Sequence, residues 1–139
     1  MRNSHVPVGP WRGVNTNQNG LFMECFIEEC ARAAGKDSVA FRQALMKNHP
    51  KHLGVLNAAA KKANWSKPLP RGVHRGVAQF MGYGSYSACV AEVSVTGGSL
   101  VKIKRLVFAL DCGHVLNPYL VREQIEGSVV MALGAIFNQ

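Results

Sequence analysis

The segment from Leu106 to the C-terminus constrains the fold most, because it joins a strand pattern to a helix that carries little charge. Its apolar start is typical of a strand, and the turn Asp111-Cys112-Gly113 follows. Asn117 and Pro118 then mark a helix start, since Asn is a favoured N-cap and Pro suits the first helical turn. No charged residue follows Glu126. A helix that is apolar on all sides predicts burial in a surrounding larger than this chain supplies.

The spacing of apolar residues divides the rest of the chain into a helical half and a strand half. Helical spacing predicts three helices in residues 1–64, and a segment rich in Pro and basic residues (65–72) indicates a linker. The predicted helices are Thr16–Ala34, Val39–Lys47 and Lys51–Ala63, with Asp37 or Ser38 as the cap of the second.

Alternation with a period of two predicts strands in the second half. They are Val73–Met81, Ser87–Val95 and Leu100–Leu110, joined at Gly82–Ser85 and Thr96–Ser99. The predicted fold class is therefore α+β: N-terminal helices, a small antiparallel sheet and a buried C-terminal helix. We expect residues 73–139 to belong to the same domain as the helical part.

The net charge and the spacing of the cysteines limit the kinds of function that the chain can have. The formal charge of +8 could suggest a polyanionic partner, but the basic residues are scattered and form no tail. The four cysteines form neither a disulfide framework nor a metal-binding spacing, so we predict reduced thiols and no metal site. No signal peptide or membrane-spanning segment is predicted, which favours the cytoplasm.

Several motifs in order resemble the molybdopterin-binding large subunit of the xanthine dehydrogenase and aldehyde oxidase superfamily. The branch that includes the isoquinoline 1-oxidoreductase beta subunit is the most similar. The resemblance extends over nearly the whole chain. The motifs are Pro10-Trp11-Arg12-Gly13-Val14, Ala34-Gly35-Lys36-Asp37, Gly84-Ser85-Tyr86, Val90-Ala91-Glu92-Val93, Asp111 to Pro118, and Gln124-Ile125-Glu126-Gly127.

This resemblance implies an oxidoreductase with a molybdopterin-type molybdenum cofactor. Such enzymes hydroxylate aldehydes or nitrogen heterocycles with oxygen from water and pass electrons to an iron–sulfur partner subunit. Glycines allow a phosphate tail to approach the backbone closely, and Gln124 can both donate and accept at a pterin edge. The cofactor-binding residues implied are Arg12, Gly13, Gly84, Ser85, Gln124, Glu126 and Gly127.

The family's general base lies in a Gly-x-Gly-Glu-type segment that is absent from this sequence. We therefore expect an internal fragment with no catalytic residue of its own, inactive alone and binding no cofactor by itself. We expect the full-length protein to which this fragment belongs, its parent, to be the complete enzyme.

Each candidate residue also has a structural interpretation. Arg12 could pair with an acid of the first helix, while Gln124 and Glu126 could be solvated residues of a first helical turn. Ser85 could be a turn residue. Three further residues are assigned structural or solvent-facing roles rather than roles in the site: Asp111 as the cap of its own turn, His114 as a solvated or packed histidine, and Glu92 facing solvent or Lys102 across the hairpin.

Two other classes remain open. One is a basic nucleic-acid-binding module, although the chain has no recognisable reading helix or aromatic-interleaved basic strand. The other is a non-catalytic structural or interaction fragment. For the enzyme fragment and for the non-catalytic fragment alike, the apolar C-terminal helix predicts a homo-oligomer that covers it.

Overall fold

The computed structural model describes His5 and residues 7–137. Three helices come first, a three-stranded sheet follows, and a fourth helix ends the chain. The elements are α1 Thr16–Ala33, α2 Ser38–Leu45, α3 Pro50–Lys62, β1 Val73–Gly82, β2 Ser85–Thr96, β3 Leu100–Asp111 and α4 Pro118–Phe137. The predicted α+β fold class is confirmed, and the predicted ends of α1–α3 and the three strands lie within two residues of those observed.

The strands form one antiparallel sheet in the order β1-β2-β3, and α3 packs against one of its faces. Val77, Val90 and Val107 lie side by side on this inner face, as the registers of the two strand pairs require. They meet Leu56 of α3, which is fully buried. The core therefore combines residues from both halves of the chain: Val39, Val55, Leu56, Ala59, Ala60, Ala63, Val77, Ala88, Val90 and Val107.

Both hairpin turns depend on left-handed backbone. Between β1 and β2, Tyr83 and Gly84 have φ of 53° and 78°, which is the pattern of a two-residue type I′ turn. Gly97 and Gly98, with φ of 62° and 79°, turn the chain between β2 and β3. The turns predicted from the sequence at these two places are confirmed.

A buried ionic cluster joins α1, α2 and β1; we call Glu24, Glu28 and Arg42 the Arg42 cluster. The Arg42 side chain is fully buried and donates from Nε to Glu24 (3.1 Å) and from Nη1 to Glu28 (3.2 Å). Glu24 also accepts from the backbone N–H of Gln79 at 2.9 Å, which ties β1 to α1. Burial opposes ionisation of Glu28, but hydrogen bonds from Ser38, Arg42 and Arg32 outweigh it and lower the pKa of Glu28.

Glu92 lies on the inner face of the sheet, so the predicted solvent or Lys102 contact is wrong. Its carboxylate accepts from Arg75 Nη2 at 2.9 Å and lies 4.0 Å from Arg105 Nη1. In the observed register Lys102 pairs with Ser94, two positions along the strand from Glu92, and the one-residue shift at Glu92/Val93 brings Arg105 rather than Lys104 opposite Glu92.

The segment between α3 and β1 is held to the body of the fold. Trp65 packs against the core and donates from Nε1 to Asp37 at 2.8 Å. Asp37 is also the cap of α2, as predicted, since it accepts from the N–H groups of Val39 and Ala40. Arg75 donates to the carbonyl of Trp65 at 2.8 Å.

The start of α4 is as predicted, and the helix is exposed within this chain. Asn117 accepts from the N–H of Tyr119 at 3.0 Å and so caps the helix, and Asp111 caps its own turn by accepting from Gly113. No residue between Pro118 and Phe137 is buried. Burial was predicted only in a surrounding larger than this chain and stays a prediction, since the sheet and α1–α3 do not cover α4. No helix among the described residues is long and apolar enough to span a membrane.

Candidate functional site

The loop before α1 has a tight conformation that the first turn of the helix fixes. Gly13 has φ +97°, and the N–H of Val14 donates back to Trp11 at 2.8 Å. Thr16 bonds the Gly13 carbonyl through both its N–H and its hydroxyl, and Asn17 donates to the Arg12 carbonyl at 2.7 Å. The loop therefore presents the Arg12 side chain from a fixed backbone.

Arg12 reaches α4, at the other end of the chain. Its Nη2 donates to Gln124 Oε1 at 2.7 Å and to the Gln124 carbonyl at 3.3 Å. The structure thus brings together two of the predicted site residues. Both contacts are exposed, and the alternative that Arg12 pairs with an acid of α1 is not observed.

Gly127 lies beside this contact. A Cβ atom at this position would be 3.7 Å from Arg12 Nη1, which is ordinary van der Waals distance. Glycine is thus not required here by steric exclusion, but it keeps the flank of the guanidinium open. Arg12, Gln124 and Gly127 form what we call the Arg12 site.

A shallow cavity of about 260 Å³ adjoins the Arg12 site. It lies between the N-terminal loop and the middle of α4, and it contains one cation and no carboxylate. Its lining residues are Trp11, Arg12, Gly13, Asn17, Ser128, Met131 and Ala132. Such a surface suits an anion or a polar heterocycle edge better than a cation.

The remaining predicted residues are not drawn into the Arg12 site. Glu126 accepts from Arg122 at 2.6 Å in an exposed ion pair along α4, and this bond raises the pKa of Arg122. Gly84 and Ser85 lie at the β1–β2 turn, where the positive φ of Gly84 has a structural reason. A Cβ on Gly82, which pairs with Ser85, would lie 3.6 Å from the side chain of Thr16. The turn therefore lies against the first turn of α1, close in sequence to the loop.

Sequence reasoning missed the residues that shape this site, Asn17 and Met131. Asn17 was not singled out in the sequence, whereas in the structure it donates to the Arg12 carbonyl and anchors the loop backbone. Met131 looked like one more apolar residue of α4, and only the pairing of loop and helix shows that it lines a cavity. Among the described residues no three His, Cys, Asp or Glu side chains are grouped to hold a metal.

A family model described as "Molybdopterin cofactor-binding domain" matches residues 23–138, most of the chain. The chain belongs to this family. The residues of the Arg12 site fit one polar edge of such a cofactor, since they offer a guanidinium, an amide and an adjacent glycine. Cofactor sites usually enclose most of their ligand in roughly 300–1,000 Å³. A surface cavity of about 260 Å³ therefore corresponds to one wall of such a site.

The chain is also similar to three curated proteins that are named as dehydrogenases or oxidoreductases. A nicotinate dehydrogenase subunit of Pseudomonas putida is 31% identical over 92% of this chain and 12% of its own length. The beta subunit of isoquinoline 1-oxidoreductase from Brevundimonas diminuta is 29% identical over 92% of the chain and 17% of its length. A membrane-bound aldehyde dehydrogenase of Gluconacetobacter polyoxogenes, named for pyrroloquinoline quinone, is 27% identical over 90% of this chain and 19% of its own length.

The chain spans less than a fifth of the length of each of these relatives. No solved structure matches it.

Proposed function

We propose that this chain forms one wall of a molybdenum-cofactor site, in which Arg12 and Gln124 hold the polar edge of the cofactor. The observation that carries the proposal is the 2.7 Å contact between these residues, which are 112 positions apart in a chain of the molybdopterin-binding family. Two segments that each resemble a cofactor motif thereby meet at one place.

Arg12 and Gln124 are proposed to bind different groups of the cofactor. Arg12 is a permanent cation and suits a phosphate or another anionic group of the cofactor. Gln124 Oε1 accepts from Arg12, and among the described residues its Nε2 has no acceptor, so it can donate to a ring nitrogen or oxygen. Gly127 leaves room beside them, and we propose that Gly13, Gly84, Ser85 and Glu126 complete this side of the site in the parent protein.

The parent activity we propose is the hydroxylation of a small aldehyde or nitrogen heterocycle with oxygen from water. When bound, the molybdenum cofactor supplies the two-electron chemistry, and the protein supplies position and electrostatics. In support, two relatives are named for nicotinate and isoquinoline, both nitrogen heterocycles, and the third is named for an aldehyde. Two of the relatives are named as subunits, which supports a partner; we propose an iron–sulfur electron-transfer protein in that role.

We propose that the 139 residues alone neither retain the cofactor nor catalyse the reaction. A one-sided surface cavity supplies few of the contacts that hold a cofactor in place. We also propose a reducing compartment, the cytoplasm, on the support of four unpaired cysteines.

The first test is the molybdenum and pterin content of the purified chain, by elemental analysis and by fluorescence of the oxidised pterin. We expect far less than one equivalent of either. A stoichiometric content of both would contradict the one-wall description.

The second test places this chain in a complete site. The matching segment of the Pseudomonas putida nicotinate dehydrogenase relative is replaced by residues 1–139, and molybdenum retention is measured for Arg12→Ala and Gln124→Ala. Arg71→Ala and Gln18→Ala, at exposed positions outside the Arg12 site, are the matched controls. We expect about tenfold weaker retention for the first pair, since a hydrogen bond to a charged group contributes about 1.5–3 kcal/mol. Equal retention in all four variants would refute the proposed roles.

A further inference from the structure

The positive charge of the chain is concentrated in one part of the sequence. Residues 61–105 contain eight of the 16 basic residues but a single acid, Glu92, so they carry +7 of the formal charge of +8. Asp37 approaches this region through the bond it accepts from Trp65, and the neighbouring Lys36 balances its charge. A region of one sign attracts anions.

The fold brings these basic residues to one end of the sheet. Ser94 of β2 pairs with Val73 at the start of β1 and with Lys102 near the start of β3. The end of α3 joins them, because Arg105 donates to the carbonyl of Lys62 at 2.8 Å. Residues that look scattered in the sequence therefore lie together in space.

Two of the eight cations are held inside the fold. Arg75 donates to Glu92 at 2.9 Å, and Arg105 is bonded to the end of α3. The other six are exposed, and none of them forms an ion pair with a described residue; we call them the basic cluster: Lys61, Lys62, Lys67, Arg71, Lys102 and Lys104. Five of the six are lysines, which are depleted in protein–protein interfaces. Clusters of this size are typical of surfaces that bind anionic lipid.

The β2–β3 hairpin carries an apolar tip beside the basic cluster. Ser94 is the last residue of β2 that pairs with β1, so the pairs Val95–Val101 and Thr96–Leu100 stand beyond the end of β1. Leu100 is 57% exposed, Val95 is 42% exposed and Val101 is 38% exposed. Aliphatic side chains next to lysines suit a membrane interface, where the apolar groups enter the acyl boundary and the lysines reach the headgroups.

A nucleic acid fits this surface less well. Trp65 is the only Phe, Tyr or Trp in residues 61–75 and 92–105. It packs against the core, and the Arg75 guanidinium lies 5.7 Å from its ring, so it is not free to stack on a base. Binding to phosphates alone would leave the aliphatic tip in water.

We propose that the basic cluster and the β2–β3 tip dock this chain on an anionic membrane surface, with Leu100 and Val101 at the acyl boundary and the lysines among the headgroups. Docking of this kind needs no spanning helix. The ten residues of β1 extend about 30 Å from this end to Gly82, which lies against Thr16 beside the Arg12 loop. The Arg12 site is therefore at the opposite end of the sheet and stays accessible.

The test is sedimentation of the purified chain with phosphatidylcholine vesicles that contain or lack phosphatidylserine. We expect binding only when phosphatidylserine is present, and weaker binding as salt screens the cluster. Lys102→Glu combined with Lys104→Glu should weaken binding at least tenfold, since each lysine near an anionic surface contributes about fivefold. Lys47→Glu combined with Lys51→Glu is the matched control, because both lysines are exposed, the net charge changes equally, and α3 begins beside the far end of β3.

Leu100→Ser tests the apolar tip without a change of charge. We expect about tenfold weaker binding to the phosphatidylserine vesicles, because the burial of the leucine side chain is lost. Leu45→Ser, at the end of α2 and 54% exposed, is the control and should bind as the wild type does. As an independent readout, the indole introduced by Leu100→Trp should emit at shorter wavelength on these vesicles, whereas that of Leu45→Trp should not. Circular dichroism checks that each variant is folded.

Four results would overturn the proposal: no binding to phosphatidylserine vesicles, equal losses for the two lysine pairs, full binding by Leu100→Ser, or tighter binding to a DNA or RNA duplex than to the vesicles. Vesicle binding requires no cofactor, so its failure and that of the proposed function are distinguishable.

Discussion

Removing the guanidinium of Arg42 should destabilise this fold more than removing any exposed charge. In the Arg42 cluster, this one fully buried side chain donates to Glu24 (3.1 Å), to Glu28 (3.2 Å), and to the carbonyls of Ser38 (3.1 Å) and Glu24 (3.2 Å). Arg42→Ala leaves two carboxylates in a site where Glu24 is only 11% exposed. Breaking a buried ion pair from one side costs about 3–5 kcal/mol.

The expected loss is a large share of the roughly 5–15 kcal/mol that holds a domain together. Urea unfolding followed by circular dichroism measures it, provided that the slope of the transition is unchanged. Arg32→Ala is the matched control, since Arg32 also pairs with Glu28 but is 78% exposed, and it should cost about 0.5 kcal/mol or less. The triple variant Arg42→Met, Glu24→Gln, Glu28→Gln should recover part of the loss. A cost below about 1 kcal/mol for Arg42→Ala would refute this reasoning.

Three further outcomes are expected. Asp37→Ala should lower the free energy of unfolding by about 1–2 kcal/mol, because the cap of α2 and the acceptor of Trp65 Nε1 are both lost; Asp37→Asn, measured by the same urea unfolding, should keep the cap, which needs one oxygen, but lose the bond from Trp65, which uses the other, and so fall between the two. Burial and the neighbouring His49 lower the pKa of His52 from its ordinary 6.5, so the unfolded chain takes up this proton before the folded chain does. The free energy of unfolding should therefore fall as the pH is lowered through the ordinary value of 6.5, and an unchanged slope in His52→Gln would contradict this. Burial raises the pKa of the Cys89 thiol to about 11, so at about pH 8 its thiolate fraction is about a hundredfold below that of an ordinary thiol; mass spectrometry after iodoacetamide should show Cys25 labelled well before Cys89, and equal rates would refute the assignment.

The local features of the fold could be read from the sequence because each depends on neighbouring residues. Apolar spacing located the helices and strands, and Asp37, Asn117 and Asp111 bond N–H groups two or three residues away. Gly97 and Gly98 were sufficient to mark a turn because their backbone conformation is closed to most other residues. Predictions of this kind need no knowledge of distant segments.

The contacts that were not predicted join residues that are distant in sequence. Glu92 was assigned to solvent or Lys102, whereas Lys102 pairs with Ser94, and the one-residue shift that brings Arg105 opposite Glu92 cannot be seen in a strand pattern. Arg42 read as one more polar residue of a short helix. Its partners Glu24 and Glu28 lie on α1, a different helix, so the sequence pattern did not identify the pairing.

The candidate site residues were named through a resemblance and not through geometry, and their cofactor role stays a prediction. The motifs around Arg12 and Gln124 indicated cofactor proximity, and the structure shows that the two side chains are bonded to each other. The pairing of Glu126 with Arg122, one turn back on the same helix, follows from their i,i+4 spacing and was missed. Burial of α4 was predicted from its composition, but composition indicates only that a helix needs a cover and not which chain supplies it.

The contacts around Trp65 change how residues 65–72 should behave when the protein is stressed. Arg75 binds the carbonyls of Asn64, Trp65 and Lys67, and its guanidinium lies 5.7 Å from the indole ring. A segment rich in Pro and basic residues, which a protease such as trypsin would ordinarily cut as a hinge, is instead bonded to the strand that follows it. The helical half and the sheet half should therefore melt together in a single transition, and neither half should survive as a separate product of limited digestion.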